Sequence, residues 1–198
     1  MIFPSHLRGF VLAAAFGASM MAMPSLKAQT NGTPERFTAM AVNMSNVGRN
    51  TANTVEIVVE RWSTDADRDR LRSVLMEQGS EKLLGALEKL PRVGYFRVPT
   101  SLGYDIHYAR RAPLPDGGER VVLLTDRRIG FWEATNQPRS IDYPFTLIEL
   151  RLNANGEGEG KLSIATKITA DPESKIVVLE DYANQPVRLQ SVKRERKS

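Results

Sequence analysis

Apolar and polar residues alternate along most of the chain after residue 35, and this alternation predicts β-strands. Val55, Ile57 and Val59, for example, fall on one face of a strand, and Glu56 and Val58 fall on the other. Short polar turns separate the alternating segments, as in an antiparallel meander. The predicted strands are Phe37–Asn43, Thr54–Trp62, Gly94–Val98, Tyr104–Arg110, Arg120–Thr125, Gly130–Ala134, Phe145–Leu152, Lys161–Ile168, Lys175–Tyr182 and Pro186–Val192.

Residues 64–90 interrupt this alternation with leucines at three- and four-residue spacing, which predicts helices with one apolar side. Thr64 is a suitable N-cap, and acidic residues follow it in the first turn. We expect Gly79 to end the first helix, Ser80 to cap a second one, and Pro91 to follow the end of that helix. The leucines of this helical hairpin must then pack on an open barrel end or on a sheet face.

Eight to ten strands with an inserted helical hairpin predict a mainly β (α+β) fold, which is either an antiparallel β-barrel or a β-sandwich. The alternation alone does not separate these two architectures. A membrane-spanning barrel has a similar length, but it needs an outward apolar band with aromatic girdles on most strands. The consecutive apolar residues Val121–Leu124, the helices within the strand series and the charged C-terminus favour a soluble core covered on both faces.

The first 28 residues have a different composition. Arg8 precedes an uncharged, mostly apolar run from Gly9 to Leu26, and the small residue Ala28 precedes polar sequence. This order is the pattern of a cleaved secretory signal. An uncleaved anchor is the alternative, because about 18 uncharged residues approach the length that crosses a bilayer. We expect cleavage after Ala28, a periplasmic or secreted protein, one domain over residues 29–192 and a basic tail over residues 193–198.

Charge and composition exclude several classes of function. Without Arg8 and Lys27 the chain keeps 25 basic and 23 acidic residues, a balance that does not favour nucleic-acid binding. Cysteine is absent, so thiolate chemistry, disulfides and a lipid anchor on cysteine are excluded. After signal cleavage His107 is the only histidine, which excludes sites that need two histidine ligands. We expect no metal, no cofactor and no nucleic-acid partner.

Two segments resemble calcium loops in their acid spacing, but each has a simpler interpretation. Asp65, Asp67 and Asp69 have the first spacings of such a loop, without its glycine and its last acid. They are explained by favourable charge at a helix N-terminus. In residues 153–160, which are rich in glycine and oxygen ligands, Asn155-Gly156 predicts a hairpin turn with positive φ at both residues.

Asp105 and His107 are two residues apart on a predicted strand and therefore share one face, while Tyr104, Ile106 and Tyr108 share the other. An acid and a histidine in this arrangement can form a base and its orienting partner. No serine or cysteine motif completes a nucleophilic set. We therefore interpret the two side chains as an exposed or hydrogen-bonded pair.

The most distinctive stretch covers residues 130–145, where aromatic residues, two prolines and amide side chains are concentrated. Aromatic walls with a few polar groups on a loop are typical of ligand sites. The alternative is a rigid crossover whose aromatic residues close one end of the barrel. If Arg110-Arg111 and Arg127-Arg128 converge nearby, an anionic ligand is favoured. The candidate ligand-binding residues are Trp132, Asn136, Arg139, Asp142 and Tyr143.

The run from Asn136 to Glu149, together with Arg61–Ser63 before the helices and Leu90–Tyr95 after them, resembles a group of uncharacterised secreted bacterial proteins. The resemblance covers most of the chain after the signal. It implies export and a domain of unknown function, and it transfers no catalytic residue, cofactor or substrate.

The sequence therefore predicts an exported binding or interaction module. A lipocalin-like barrel that holds a small apolar or anionic ligand is a physical model for it, and an envelope component is another possible partner. A carboxylate-based hydrolase is the first alternative, with Glu133 and Asp142 as acid and base and with Tyr143 or His107 assisting. A structural, envelope-associated protein is the second.

Overall fold

The computed structural model describes residues 33–42, 52–98, 103–126, 142–171, 173, 176–181 and 187–195. Within these residues the chain forms a closed antiparallel β-barrel of eight strands, a ninth strand outside the ring, and two helices. The elements are β1 (Glu35–Val42), β2 (Ala52–Val59), α1 (Asp65–Gln78), α2 (Ser80–Glu88), β3 (Gly94–Arg97), β4 (Tyr104–Pro113), β5 (Glu119–Thr125), β6 (Phe145–Leu152), β7 (Glu157–Asp171), β8 (Ile176–Asp181) and β9 (Val187–Glu195).

The ladder between β6 and β7 closes the barrel. The strands lie side by side in the order β6, β5, β4, β3, β2, β1, β9 and β7, and β7 pairs again with β6. β7 is long enough to serve two purposes, because residues 157–162 pair with β9 and residues 166–171 pair with β8. Of the two architectures that the sequence left open, the structure is the barrel.

Alternation along the strands places one set of apolar side chains inside the barrel. Val55, Ile57 and Val59 point inward, as the sequence predicted. The inner side chains form one continuous buried cluster, so the middle of the barrel is filled. This filling is normal for eight strands, whose interior is just wide enough for side chains. The largest inner residues are Trp62, Phe37, Phe96, Ile57, Ile106, Leu123, Ile148, Leu150 and Leu189.

The helical hairpin packs on the outer face of the barrel, which is the sheet-face alternative of the sequence analysis. Leu124 and Phe145 point outward from β5 and β6 and pack against the leucines of both helices. Ile168, in the part of β7 beyond the ring, completes this second apolar cluster. The helix residues in it are Leu71, Leu75, Leu83, Ala86 and Leu87, and Leu90 joins them from just after α2. Among the described helices, none is both long and apolar enough to cross a membrane.

The junction between the helices confirms one predicted cap and corrects another. Thr64 and Asp67 form a reciprocal capping box at the start of α1. Gly79 ends α1 as predicted, with φ 83° and ψ 175°, a conformation that is nearly exclusive to glycine. The prediction that Ser80 caps α2 was wrong. Gly79 alone reverses the chain, so that Ser80 is already the first helical residue and no side chain caps α2.

The turn between β6 and β7 is a hairpin turn, as predicted. Gly156 has φ 80°, and its N–H donates to the carbonyl of Asn153. The Asn153 side chain accepts hydrogen bonds from the backbone N–H groups of Asn155 and Glu157. The prediction of a positive φ at Asn155 was wrong. This three-residue loop is a type I turn, which needs a positive φ only at its glycine.

A β-bulge changes the faces predicted for β4. The register against β5 shifts between Ile106 and Tyr108. Tyr104 and Ile106 point into the barrel, whereas Tyr108 points outward into the helix cluster. The strict alternation predicted for Tyr108 was wrong, because the bulge at His107 inserts one extra residue.

Strand β9 continues to Glu195, so Lys193, Arg194 and Glu195 belong to the barrel and not to a tail. The remaining predicted strands agree with the structure to within a few residues at their ends. The exception is the predicted strand Gly130–Ala134, which lies outside the described residues, as do the signal segment and the last three residues.

Candidate functional site

A cleft of about 250 Å³ lies on the outside of the barrel, between the start of α2, the chain that leads into β6, and β7. This volume is just below the range of about 300–1,000 Å³ that is typical of sites for drug-sized molecules. The cleft therefore suits smaller molecules. Most of its lining comes from α2, β6 and β7, which hold their side chains more rigidly than loops do, and Asp142 and Pro144 come from the chain before β6.

One side of the cleft is apolar. It consists of Leu84, Pro144, Phe145 and Ile168. Phe145 and Ile168 are buried in the cluster that joins the helices to the barrel, and Leu84 packs against that cluster. The helix leucines therefore hold the apolar lining in place.

The other side of the cleft is polar and carries charges of both signs. Glu81 and Asp142 supply carboxylates, Lys167 supplies an ammonium group, and Ser80 supplies a hydroxyl. The first N–H groups of α2 add partial positive charge, because the N-cap residue Gly79 offers no side chain to cap them. This mixture suits a neutral or zwitterionic polar group better than a strongly charged one.

A side-chain contact holds the chain before β6 against the outer strand. The hydroxyl of Tyr143 donates a hydrogen bond to a carboxylate oxygen of Glu180 in β8. Asp142 is the preceding residue, and Pro144 and Phe145 follow, so this contact positions three of the cleft residues. Tyr143 therefore supports the cleft from its outer side.

The structure brings two of the predicted ligand-binding residues to the cleft. Asp142 lines it, and Tyr143 is adjacent and supports it. The contribution of the others to ligand binding stays a prediction, as does the pairing of Asp142 with Glu133 as acid and base. Trp132, Glu133, Asn136 and Arg139 lie outside the described residues.

His107 joins the end of the helical hairpin to the barrel. Its Nδ1 lies 2.8 Å from the carbonyl oxygen of Leu90, and its Nε2 lies 3.5 Å from Oδ2 of Asp126. Asp105 contacts Arg92 instead, at 3.5 Å. The predicted pairing of Asp105 with His107 was wrong, because each side chain contacts other partners.

Arg110 and Arg111 do not converge. Arg110 faces the start of α1, where its Nη1 lies 2.8 Å from Oδ1 of Asp65. Arg111 is the next residue, points to the other face of β4 and contacts Glu35 at 3.0 Å. Arg110 and Arg111 therefore do not present their guanidinium groups to one site. Arg127-Arg128 lie outside the described residues, so the convergence of the two arginine pairs stays a prediction.

The acids at the start of α1 are engaged in contacts within the chain. Asp67 takes part in the capping box, and Asp69 accepts a hydrogen bond from Arg68 at 2.8 Å. This hydrogen bond is the main reason why the pKa of Arg68 is raised. In the part of the chain that the structure describes, no three acidic or histidine side chains lie close enough together to hold a metal ion.

Burial also affects the tyrosine that the bulge turns outward. Tyr108 packs against the helix cluster, and loss of contact with water raises the pKa of its phenol, an effect that the neighbouring Arg110 opposes. The ring is therefore neutral near pH 7 and packs as an aromatic residue. Its role is to join β4 to the helices.

A network of charges at one end of the barrel was missed by the sequence analysis. We call this the charged end; there Glu35 of β1 contacts Arg111 at 3.0 Å and Nε of Arg194 at 3.1 Å. Trp62 Nε1 donates to the same carboxylate at 3.2 Å, and Arg194 also pairs with Glu119. The network covers the inner apolar cluster, because both guanidinium groups lie over aromatic rings.

Only Glu35 carried a signal for this network in the sequence, because it is two residues before the inward Phe37. Strict alternation from Ile106 and from Leu189 would place Arg111 and Arg194 on the outer face. The register shifts in β4 and β9 turn these two residues inward.

The chain was compared with family models, with curated proteins and with solved structures, and no match was found in any of the three comparisons. The resemblance to secreted bacterial proteins therefore stays a prediction.

Proposed function

We propose that this protein is an exported binding module and that its outer cleft holds a small amphipathic molecule. One observation carries the proposal: a cleft of about 250 Å³ has an apolar side that includes the buried Phe145 and Ile168, and a polar side with carboxylate, ammonium and hydroxyl groups. Concave sites that combine apolar walls with a few polar groups are typical of small-molecule binding.

The packing inside the barrel favours the outer cleft, and not the middle of the barrel, as the position of the ligand. A lipocalin-like carrier needs empty space among its inner side chains. Here Phe37, Phe96 and Leu189 are fully buried at the centre of a continuous cluster. Ligand binding at that level would require these side chains to move, whereas the cleft is preformed.

The outer face of the strands carries ion pairs, and this favours a protein that is surrounded by water. Arg36 and Arg97 both pair with Glu56, and Arg92 lies 2.6 Å from Glu60. A barrel in a lipid bilayer needs an apolar outer band instead. Together with the predicted signal, this arrangement favours a periplasmic or secreted location.

A carboxylate-based hydrolase is the second candidate, because Glu81 and Asp142 line the same cleft. General acid and base catalysis by two carboxylates requires one to be protonated and the other ionised. Catalysis and binding are separated by the fate of the bound molecule. A hydrolase releases fragments of it, whereas a binding module returns it intact.

Native mass spectrometry of the purified protein tests the proposal. We expect the protein to retain a small molecule, or to capture one from a mixture of fragment-sized amphipathic compounds. Replacing Leu84 with Trp fills the apolar side of the cleft, and we expect the Leu84→Trp variant to lose the bound mass. Lys82→Trp is the matched control, because Lys82 is exposed on the same helix and does not line the cleft.

The outcomes separate clearly. Loss of binding in the Leu84 variant alone supports the cleft. Equal binding by both variants contradicts it, because the molecule is then held elsewhere. Failure of the wild-type protein to bind any compound contradicts the proposed function itself.

A further inference from the structure

We propose that β8 pairs edge to edge with β8 of a second copy, so that two barrels form a dimer with a two-fold axis at Val178. β8 is the last strand in the sheet order and, among the described strands, it is paired on one side only. The proposal concerns the opposite side of this strand, and it does not depend on the cleft.

Three consecutive exposed side chains of β8 are large and apolar. Val177 is 47% exposed, Val178 is 48% exposed and Leu179 is 47% exposed. Three consecutive residues on a strand face both sides of the sheet in turn, so both sides of β8 present apolar surface. Side-by-side apolar residues that remain exposed on a folded chain are typical of an interaction surface.

The apolar part of β8, residues 176–179, lacks the features that prevent edge pairing. Natural edge strands avoid pairing with other chains by means of lysine, proline, bulges or short length. Residues 176–179 contain neither lysine nor proline. All six residues pair with β7 in continuous register without a bulge. The strand therefore presents a regular row of backbone N–H and C=O groups along its outer side.

Charge selects a second copy in the antiparallel orientation. In a parallel pair, Glu180 and Asp181 of one copy would lie beside the same residues of the other, and the four carboxylates would repel. In an antiparallel pair about Val178, the acids of the two copies lie at opposite ends of the paired strands. Val177 then lies opposite Leu179 of the second copy, and the reverse pair forms by symmetry.

The apolar centre of β8 is therefore its own complement. A contact in which each residue meets its symmetry partner is the isologous type found in most two-fold dimers. The dimer forms a continuous sheet from β7 and β8 of one copy to β8 and β7 of the other.

Sedimentation equilibrium of the purified protein tests this dimer. We expect the wild-type protein to dimerise. The Val178→Lys variant places two like charges opposite each other at the axis, and we expect the dissociation constant to rise about tenfold or more. Met40→Lys is the matched control, because Met40 is also 47% exposed but lies on β1, which has strand partners on both sides. We expect this control to dimerise like the wild type.

A mixture of two variants tests the register. Val178→Lys and Val178→Glu chains repel their own copies but attract each other if Val178 lies at the axis. We therefore expect a one-to-one mixture to regain the dimer that each variant alone has lost. Circular dichroism of each variant verifies that the barrel is still folded.

Cysteine cross-linking provides a second, independent test. The chain has no cysteine, so Val178→Cys introduces a single thiol. Opposed residues of an antiparallel pair have Cα atoms about 4.5–5.5 Å apart, a separation that a disulfide can bridge. We expect oxidation to give a covalent dimer of this variant, and Met40→Cys to give only background cross-linking.

Three results would overturn the proposal. The first is a wild-type protein that stays monomeric at high concentration. A monomer that binds an added apolar peptide at β8 counts as the same result, because the strand then takes a different partner. The second is a Val178→Lys variant that dimerises like wild type. The third is equal cross-linking of the two cysteine variants.

Discussion

At the residue scale, Glu35 is the side chain on which most of the charged end depends. Its carboxylate contacts Trp62 Nε1, Arg111 and Arg194, the last two at 3.0 and 3.1 Å. The Glu35 carboxylate thus partly neutralises two guanidinium groups, and Glu119 provides a second carboxylate for Arg194. Removing the acid would leave like charges close together above the inner apolar cluster.

We predict that Glu35→Gln lowers the free energy of unfolding by about 1–3 kcal/mol, as expected when partly buried groups lose a charged partner. The side chains involved are 20–41% exposed, so water screens the interaction and the loss is smaller than for a fully buried pair. Urea unfolding measures the change, which should shrink as salt is added.

The matched control for this prediction is Glu159→Gln. Glu159 is exposed on β7, so we expect a change within about 0.5 kcal/mol. Equal changes in the two variants would show that the charged end contributes nothing specific to stability.

Sequence reasoning at this scale succeeded where a residue's role is local. The capping box of Thr64 and Asp67 depends on residues three apart, and it was predicted. The guanidinium partners of Glu35, Arg111 and Arg194, lie 76 and 159 positions away in sequence. No local pattern links such distant residues, and Arg194 was assigned to a basic tail.

At the element scale, the helical hairpin depends on one residue. Gly79 connects α1 to α2 with φ 83° and ψ 175°, and an added Cβ there would meet nothing within 4 Å. A substitution would therefore act through backbone conformation alone. Gly85 offers the opposite case, since it lies within α2 and has the same free space around it.

We predict opposite signs for the same chemical change at these two glycines. Gly79→Ala should lower the free energy of unfolding by about 1–3 kcal/mol, because its conformation is nearly exclusive to glycine. Gly85→Ala should raise it by up to about 1 kcal/mol, because alanine favours a helix interior. Thermal and urea unfolding of the two variants check the signs.

Equal effects of the two alanine substitutions would contradict the backbone account of the hairpin. A destabilised Gly85→Ala variant would contradict the free space described around Gly85.

The elements show why strand ends and faces were harder to predict than strands. Phe145–Leu152 was predicted with its observed bounds, because apolar residues alternate from Ile148 to Leu152 and a turn sequence follows. At β4 the bulge moved Tyr108 to the outer face, and a bulge follows from pairing with β5, not from the sequence of β4. Ser80 was assigned a cap because serine favours that position, but the conformation of Gly79 decided the start of α2.

At the scale of the whole molecule, closure of the barrel was not predictable from local patterns. A barrel and a sandwich have the same alternation, and hairpins between consecutive strands, such as β6 with β7, occur in both. The long-range pairing of β1 with β9 joins the first and last strands of the series and completes the ring. The outer position of the helices follows from that closure, because a filled interior leaves only the outer face for the leucines. The cleft arises in turn where α2 crosses the start of β6.

The candidate site, like the closure of the barrel, could be predicted only in part from local sequence. Asp142 was predicted from the composition of its segment, whereas Glu81, Leu84 and Lys167 carry no local signal of a site. They come together only because the hairpin lies on the outside of the barrel. The predictions for the residues preceding Asp142 stay open to experiment.

The most direct test of the account is the location of a bound molecule by nuclear magnetic resonance. Spectra of the ¹⁵N-labelled protein would be recorded with the compound captured in the mass-spectrometric experiment. We predict amide shift changes centred on Ser80, Leu84 and Ile168, and their absence in the Leu84→Trp variant. Changes centred instead on the barrel interior, at Val98 and Tyr104, with an unchanged cleft, would contradict the account.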